Sequence, residues 1–295
     1  MNKAKIVCIG DNVCDKYLSR GKMYPGGQCV NTAVYAFMNN AETAYIGKYG
    51  NDEVAKCVRD TLKEIGIDDS RSRCFEGENG FALVTLQSTD RVFLGSNKGG
   101  VTREHSYDFT TEDIEYIKRF QLIYTNLNAY IEKELPVLAL SGVPIAFDFS
   151  TRWTEEYLQE ICPYTEVVIM SCAHLSEDNR ITEMKKAQKY GAKIVLGTVG
   201  EDGSYVLYND DIYYTGAVRA DDVIDTMGAG DSYFSAFLCT LLETSETGKL
   251  IEGNRDDMRN RLLNAMNKGA VFAAKVCAME GAFGYGVPIK GRTQI

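Results

Sequence analysis

Histidine is almost missing from this 295-residue chain; there are two, His105 and His174. A multi-histidine metal centre is therefore not expected, and a Ser-His-Asp triad has only these two to draw on. The nine cysteines include no C-x-x-C pair. An odd number without that spacing argues against a disulfide framework and for a reducing, cytoplasmic setting. Positive charge is short as well: 32 Lys+Arg against 41 Asp+Glu leave a net charge of −9. General nucleic-acid binding is not expected, and an anionic substrate would need a local positive field. No apolar run reaches the length of a bilayer span. The N-terminal run in "MNKAKIVCIGDN" stops at Gly10-Asp11, too short for the core of a signal peptide. Two nucleotide signatures are absent too. Gly21-Lys22, Gly47-Lys48 and Gly248-Lys249 all lack the hydroxyl residue that completes a P-loop. The first strand runs into "IGDNVC", with one glycine where a dinucleotide turn needs G-x-G-x-x-G, which disfavours an NAD(P) reductase.

What the chain does have is alternation. "AKIVCIG", "TAYIG", "QLIYTN", "PIAFDFS", "EVVIM" and "KIVLGT" read as buried strands. Between them lie helical patterns: "NTAVYAFMNN", the run from Val54 to Ile65 with Asp52 as cap and Gly66 as stop, and stretches near 131–141, 154–161 and 176–190. Two helices near 230–243 and 256–278 close the chain, separated by a loop-like insertion near 244–257. This is an α/β fold, a mostly parallel sheet with helices on both faces, over one domain spanning 1–295. Hairpins at "FALVTLQ"/"RVFLG" and "SYVLYNDDIYYTG" break the pattern. The segments near 11–28 and 74–101 are expected to form a small β-sheet lid.

One stretch carries chemistry. In "DTMGAGDSYFSAF", Asp225–Phe237, two acids bracket small residues and an amphipathic helix follows. Phe234, Phe237, Leu238, Leu241 and Leu242 fall on one face of it. The first N–H groups of a helix have no internal partner, and Gly228, Ala229 and Gly230 leave them bare. With the helix dipole, they make a cradle for an oxyanion or a phosphate. Asp231, in the first turn, reads either as a plain cap or as a base for a hydroxyl attacking the bound phosphate.

That stretch resembles the D-T-x-G-A-G-D signature of the ribokinase-like (PfkB) carbohydrate kinases. The resemblance runs along nearly the whole chain: "YPGGQCVNTAVYA" is similar to the family's G-G motif, "VLGTVGEDGSY" to its nucleotide-facing turn, and "NKGAVFAAKVCAMEGA" to its closing helix. "GDNVCDKY", "DRVF", "AFDFSTRW" and "GAFGYG" most resemble the members that phosphorylate fructosamines, adducts of sugar with lysine. The resemblance implies a Rossmann-like domain with a β lid, often dimeric through the lid, using ATP, Mg²⁺ and in some members K⁺. It implies Asp231 as catalytic base with Gly228, Ala229 and Gly230 as anion hole. Asp11, Asp15, Gly26, Gly27 and Asn31 fall at the sugar, with Arg91 in the lid hairpin. Thr198, Gly200 and Gly203 fall on the nucleotide side, with Asn267 and Cys277 near adenine. Asp225 and Thr226 fall where a monovalent cation binds. On local grounds several of these keep a plainer reading: Asp11 as a turn residue after a strand, Gly26-Gly27 and Gly200–Gly203 as turns, Asn31 and Arg91 as solvated.

One departure from the family pattern bears on magnesium. Where the family has N-x-x-E, this chain has Ser171 and His174; Glu177, one turn on, is the nearest acid to stand in. The expected activity is ATP-dependent phosphorylation of a primary hydroxyl, O6 of fructoselysine or a related fructosamine. The alternatives are a fructokinase- or ribokinase-type enzyme, a nucleoside kinase of the same family, or a non-catalytic regulator that binds sugar and nucleotide.

Overall fold

The computed structural model describes residues 3–87, 90–220 and 222–295, without the side chains of Leu86, Gln87, Asp90 and Arg91. The first half runs β1 (Lys5–Gly10), β2 (Val13–Tyr17), β3 (Lys22–Gly26), α1 (Gln28–Met38), β4 (Glu42–Tyr49), α2 (Glu53–Ile65), β5 (Arg73–Cys74), β6 (Gly80–Gln87), β7 (Asp90–Ser96), α3 (Val101–Glu104), α4 (Thr111–Ile117), β8 (Leu122–Asn126) and α5 (Leu135–Ala139). The second runs β9 (Ile145–Asp148), α6 (Glu155–Ile161), β10 (Val167–Ser171), α7 (Glu177–Lys189), β11 (Ile194–Thr198), β12 (Ser204–Tyr208), β13 (Asp211–Thr215), α8 (Ala229–Glu243), α9 (Arg255–Val276) and β14 (Val287–Pro288).

Nine strands form one sheet in the order β13-β12-β11-β10-β9-β8-β1-β4-β5. Neighbours from β5 to β11 run parallel; β12 and β13 add an antiparallel edge. Successive side chains on a strand point to opposite faces, so each face needs its own cover. Ile6 and Cys8 of β1 join a core with Val30 of α1, Phe234 of α8 and Leu262 of α9. Val7 and Ile9 join another with Ile117 of α4, Leu158 of α6 and Met184 of α7. Two cores on one sheet require helices on both sides, as the strand–helix alternation indicates.

A second sheet has the order β14-β3-β2-β6-β7. It takes β2 and β3 from the segment 11–28, β6 and β7 from 74–101, and β14 from the C-terminal end. Arg73 and Cys74 pair instead with Lys48 and Tyr49 in the large sheet. The single helix read near 131–141 is a 3-10 turn (Glu132–Glu134) followed by short α5, with Pro136 in its first turn; proline has no N–H with which to continue one helix across that point. The pattern reading omits α4, although Thr110 and Asp113 cap it reciprocally. The 244–257 insertion is ordered by Glu252, which accepts from the Ser245 hydroxyl and the Glu246 amide, and by Arg261, which donates to the carbonyls of Leu241, Lys249 and Glu252. Cys74 is the one exposed cysteine, its sulfur accepting from the Arg59 guanidinium; all nine cysteines are free of disulfides.

Candidate active site

Parallel strands deliver their C-terminal ends, and the loops that follow, to one edge of the sheet. Asp11 follows β1 there, Asp148 ends β9, and α1 starts just after β3. Gly228 caps α8 in the left-handed region at φ 76, with no side-chain cap. A Cβ on it would come within 2.2 Å of the Tyr35 hydroxyl, which itself donates to the Ala282 carbonyl at 2.6 Å. In front of Gly230 the space is open, with no atom within 4 Å of an added Cβ. The first amide of the helix to find a backbone acceptor in the i−4 position is Ser232, bonded to Gly228. Among the described residues the amides of Gly230 and Asp231 have no backbone partner. Unpaired donors at the positive end of a 15-residue helix suit an anion.

Asp231 stands beside these amides, half-buried, and accepts a 2.6 Å hydrogen bond from the Asn31 side-chain amide. Asn31 has its other polar atom, Oδ1, buried and without a partner. Burial pushes the Asp231 carboxyl up to about 8, helped by the nearby charge of Asp148 and opposed by the Asn31 hydrogen bond; Asp11 and Asp15 push it further up. Asp148 is itself raised to about 7, chiefly by burial, against hydrogen bonds from the Ser150 amide and the Gln28 side chain. Such values suit groups that exchange protons near neutrality.

Asp11 plays a more structural part than a free sugar acceptor. Its carboxylate accepts from the backbone amides of Gln28 and Cys29 and from the Asn126 side chain, at 2.9, 3.0 and 2.7 Å. It therefore caps α1, whose own cap residue, Gly27, has no side chain. Gly27 adopts φ 102, and a Cβ there would sit 3.0 Å from the Asp11 carboxylate. What Asp11 still offers a sugar is a remaining lone pair on Oδ2. Gly26 faces the space between Asp15 and Asn31: an added Cβ would lie 2.9 Å from the Asp15 carboxylate and 3.5 Å from the Asn31 Oδ1. Gly26, Asp15, Asn31 and Asp231 thus share one cleft. Arg91 pairs with Leu86 in the second sheet; its side chain lies outside the described residues.

On the other side of the turn, Thr198 ends β11 and Gly200 and Gly203 shape the step into β12. A Cβ on Gly203 would lie 2.2 Å from the Thr215 carbonyl, so this glycine is required by the hairpin itself. Gly200 has open space around it. The hydroxyls of Ser204 and Tyr233 share a 2.6 Å hydrogen bond, joining β12 to α8 two residues beyond Asp231. Asn267 is exposed midway along α9, and Cys277 caps the end of that helix, its carbonyl accepting from the amides of Ile224 and Asp225. The rise between Asn267 and Cys277 is about 15 Å.

The expected metal residues fit poorly. Glu177 is exposed in the first turn of α7, and His174 lies exposed with its ring 5.7 Å from that of Trp153. Among the described residues no group of three His, Cys, Asp or Glu side chains is placed to hold a metal. Protein donors engage both oxygens of Asp225: its Oδ2 accepts from the Tyr17 hydroxyl at 2.6 Å and the Gly281 amide at 3.3 Å, its Oδ1 accepts from the Met227 amide at 3.0 Å, and the Arg20 guanidinium lies 3.8 Å away. Thr226 is exposed beside it.

The pattern reading missed Asp148 as a site residue, together with Gln28, Asn126, Asn128 and Arg152. Asp148 ends a strand on the same edge as Asp11, and that signal was available in "AFDFSTRW".

Residues 3–283 match the family described as pfkB family carbohydrate kinase. The chain is 37% identical over 287 residues to the fructosamine kinase FrlD of Bacillus subtilis (strain 168), covering 97% of this chain and 95% of that protein. It is 31% identical over 234 residues to fructoselysine 6-kinase of Escherichia coli (strain K12), covering 79% and 88%. Among solved structures, ribokinase from Giardia lamblia superposes with a TM-score of 0.74 at 18% identity, covering 93% and 92% of the two chains. Arabidopsis thaliana ribokinase complexed with ribose and ATP does so with a TM-score of 0.74 at 18% identity, covering 91% and 92%. At that identity these two carry the fold alone.

Proposed function

The chain belongs to the pfkB family of carbohydrate kinases, and from that premise we propose that it transfers the γ-phosphoryl group of MgATP to O6 of a fructosamine such as fructoselysine. The observation that carries the site is the Asp231 carboxylate beside the unpaired amides that open α8, held by the Asn31 side chain. The two relatives at 37% and 31% identity support the substrate class.

The sugar lies over Gly26 and Gly27, between Asp15 and Asn31, with its primary hydroxyl toward Asp231. Asp231 takes the proton as the hydroxyl oxygen bonds to phosphorus and the bond to the ADP oxygen breaks. The amides of Gly230 and Asp231 hold the charge on the transferring group. Asn31 fixes the carboxylate so that its free lone pair faces the substrate. Mg²⁺ bound with the nucleotide would supply positive charge to the transferring group, held chiefly by the phosphates, since no three ligating side chains cluster among the described residues. The nucleotide approaches from the Thr198–Gly203 side. The second sheet acts as the lid that keeps water from the phosphoryl group, with its exposed Phe93 and Leu94 offered as a homodimer face. Nine unpaired cysteines support a cytoplasmic setting, and among the described residues no helix is long and apolar enough to cross a membrane.

A coupled ADP assay over fructoselysine, glucoselysine, fructose, ribose and adenosine tests this. The expected result is highest kcat/KM on fructoselysine. Preference for free fructose or ribose would move the enzyme to a fructokinase or ribokinase role; preference for adenosine would make it a nucleoside kinase. No sugar-dependent ADP with any substrate would leave the regulator.

A further inference from the structure

Beyond Asp231 a row of polar side chains leads from the buried turn to the surface. Asp148, 4% exposed, exerts the largest neighbouring-charge effect on Asp231. Its Oδ2 accepts from the Gln28 side-chain amide at 2.9 Å. Gln28 Oε1 accepts from the Asn128 side-chain amide at 2.7 Å, and Asn128 Oδ1 accepts from the Arg152 guanidinium. Burial falls along the row: Asp148 is buried, Gln28 and Asn128 are half-buried, and Arg152 is exposed.

Each end of this row lacks its natural counter-charge. Asp148 shares its surroundings with Asp11 and Asp231, and the side chains that reach it, the Gln28 amide and the Tyr124 hydroxyl, are both neutral. Arg152 makes no ion pair among the described residues. One further side chain beside Asp231 holds an unsatisfied polar atom: Asn31 Oδ1, on a residue 3% exposed. A buried carboxylate without a cation, and buried polar atoms without partners, cost free energy unless a ligand supplies what is missing.

We infer that this row is a two-part subsite for the aminated end of the substrate, with Asp148 pairing with the secondary ammonium on C1 of the sugar and Arg152 with the carboxylate of the attached amino acid. The inference rests on the fructosamine reading and deepens it. Free fructose and ribose have neither charge. The spacing adds a further distinction. Two amide side chains, Gln28 and Asn128, separate the acid from the guanidinium. In an amino acid joined through its α-nitrogen a single carbon separates the ammonium from the carboxylate. Joined through the ε-nitrogen of lysine, the two charges stand a whole side chain apart. The row fits the ε-linked adduct.

The test compares kcat/KM on ε-fructoselysine, on α-fructosylglycine and on fructosylpentylamine, which keeps the ammonium and lacks the carboxylate. A charge-assisted hydrogen bond contributes about 1.5–3 kcal/mol, or roughly 10- to 100-fold. Wild type should therefore favour fructoselysine over the other two by that factor. Arg152→Gln should lose at least about tenfold more on fructoselysine than on fructosylpentylamine, mostly in KM, and Arg152→Lys should recover much of it. Asp148→Asn should erase the preference for fructosylpentylamine over the pentyl ether of fructose, its uncharged counterpart. Equal losses on all substrates in either variant would make the row structural and overturn the subsite alone, as would wild-type indifference to the carboxylate. No turnover of any fructosamine by the wild type would overturn the functional reading and the subsite with it.

Discussion

Two helices begin near the same cleft, and their N-termini are treated in opposite ways. Both have glycine at the cap with a positive φ, Gly27 for α1 and Gly228 for α8, and neither cap has a side chain to accept from the helix amides. At α1 the protein fills the gap from a distance: Asp11 reaches the amides of Gln28 and Cys29. At α8 no side chain among the described residues fills it, and the Asp231 carboxylate is turned to Asn31 instead of to its own helix end. The same lack of a cap side chain thus goes with a carboxylate-filled helix end in one place and with unpaired amides, the anion site we propose, in the other. The difference lies in whether a protein carboxylate occupies the amides or leaves them for a phosphate.

The sharpest way to break this contrast is Asp231→Asn. Turnover should fall by about 10²–10⁴ in the coupled ADP assay, while ATP affinity by calorimetry holds. The two glycines of the turn come next. Gly228→Ala forces a methyl against the Tyr35 hydroxyl at a strained φ, so it should lower both Tm and kcat, the latter by about 10² if the amides are displaced. Gly230→Ala meets open space and should keep Tm while raising KM for ATP. At the other helix, Asp11→Ala strands two amides and the Asn126 side chain, and should cost about 1–3 kcal/mol in denaturant unfolding.

Smaller effects follow from pH. With the Asp231 carboxyl near 8, kcat/KM should rise with pH up to that region, because the base acts only when ionised. Asp148→Asn removes a neighbouring negative charge and should move the rise to lower pH. Asp148 also has a stability signature. Its folded value of about 7 lies above the ordinary 3.8, so the unfolded chain loses its proton first and stability declines as pH rises between the two. The Tm difference between Asp148→Asn and wild type should therefore shift in favour of the variant from pH 4 to pH 8. The smallest expectation is a null one. Replacing K⁺ with tetramethylammonium should leave both rate and Tm unchanged, since the Tyr17, Met227 and Gly281 donors and the Arg20 charge already meet the Asp225 carboxylate.

Much of this was legible in the chain. Strand–helix alternation is a local signal, and so is a turn of small residues before an amphipathic helix. Hence the layered sheet and the α8 entrance could be read directly. The cap on α1 could not, because Asp11 is 17 residues from the amide it satisfies. Asp148 and Gln28 meet across 120 residues; no window of sequence contains both. Asp225 was readable as part of a motif, but its engagement by Tyr17 depends on where the second sheet lands. Asn267 and Cys277 both fall in a matching stretch, and how far apart they stand, about 15 Å, follows from the rise of the helix between them.

The Tyr17–Asp225 bond ties a strand of the smaller sheet to the first residue of the phosphate turn. Any outward swing of that sheet wide enough to discharge a phosphorylated sugar must either snap this tether or tug the turn along with it. With that sheet as the lid we propose, egress and grip would be mechanically geared, and a Tyr17→Phe enzyme, lacking this hydrogen bond, is the natural place to look for release that no longer keeps time with chemistry.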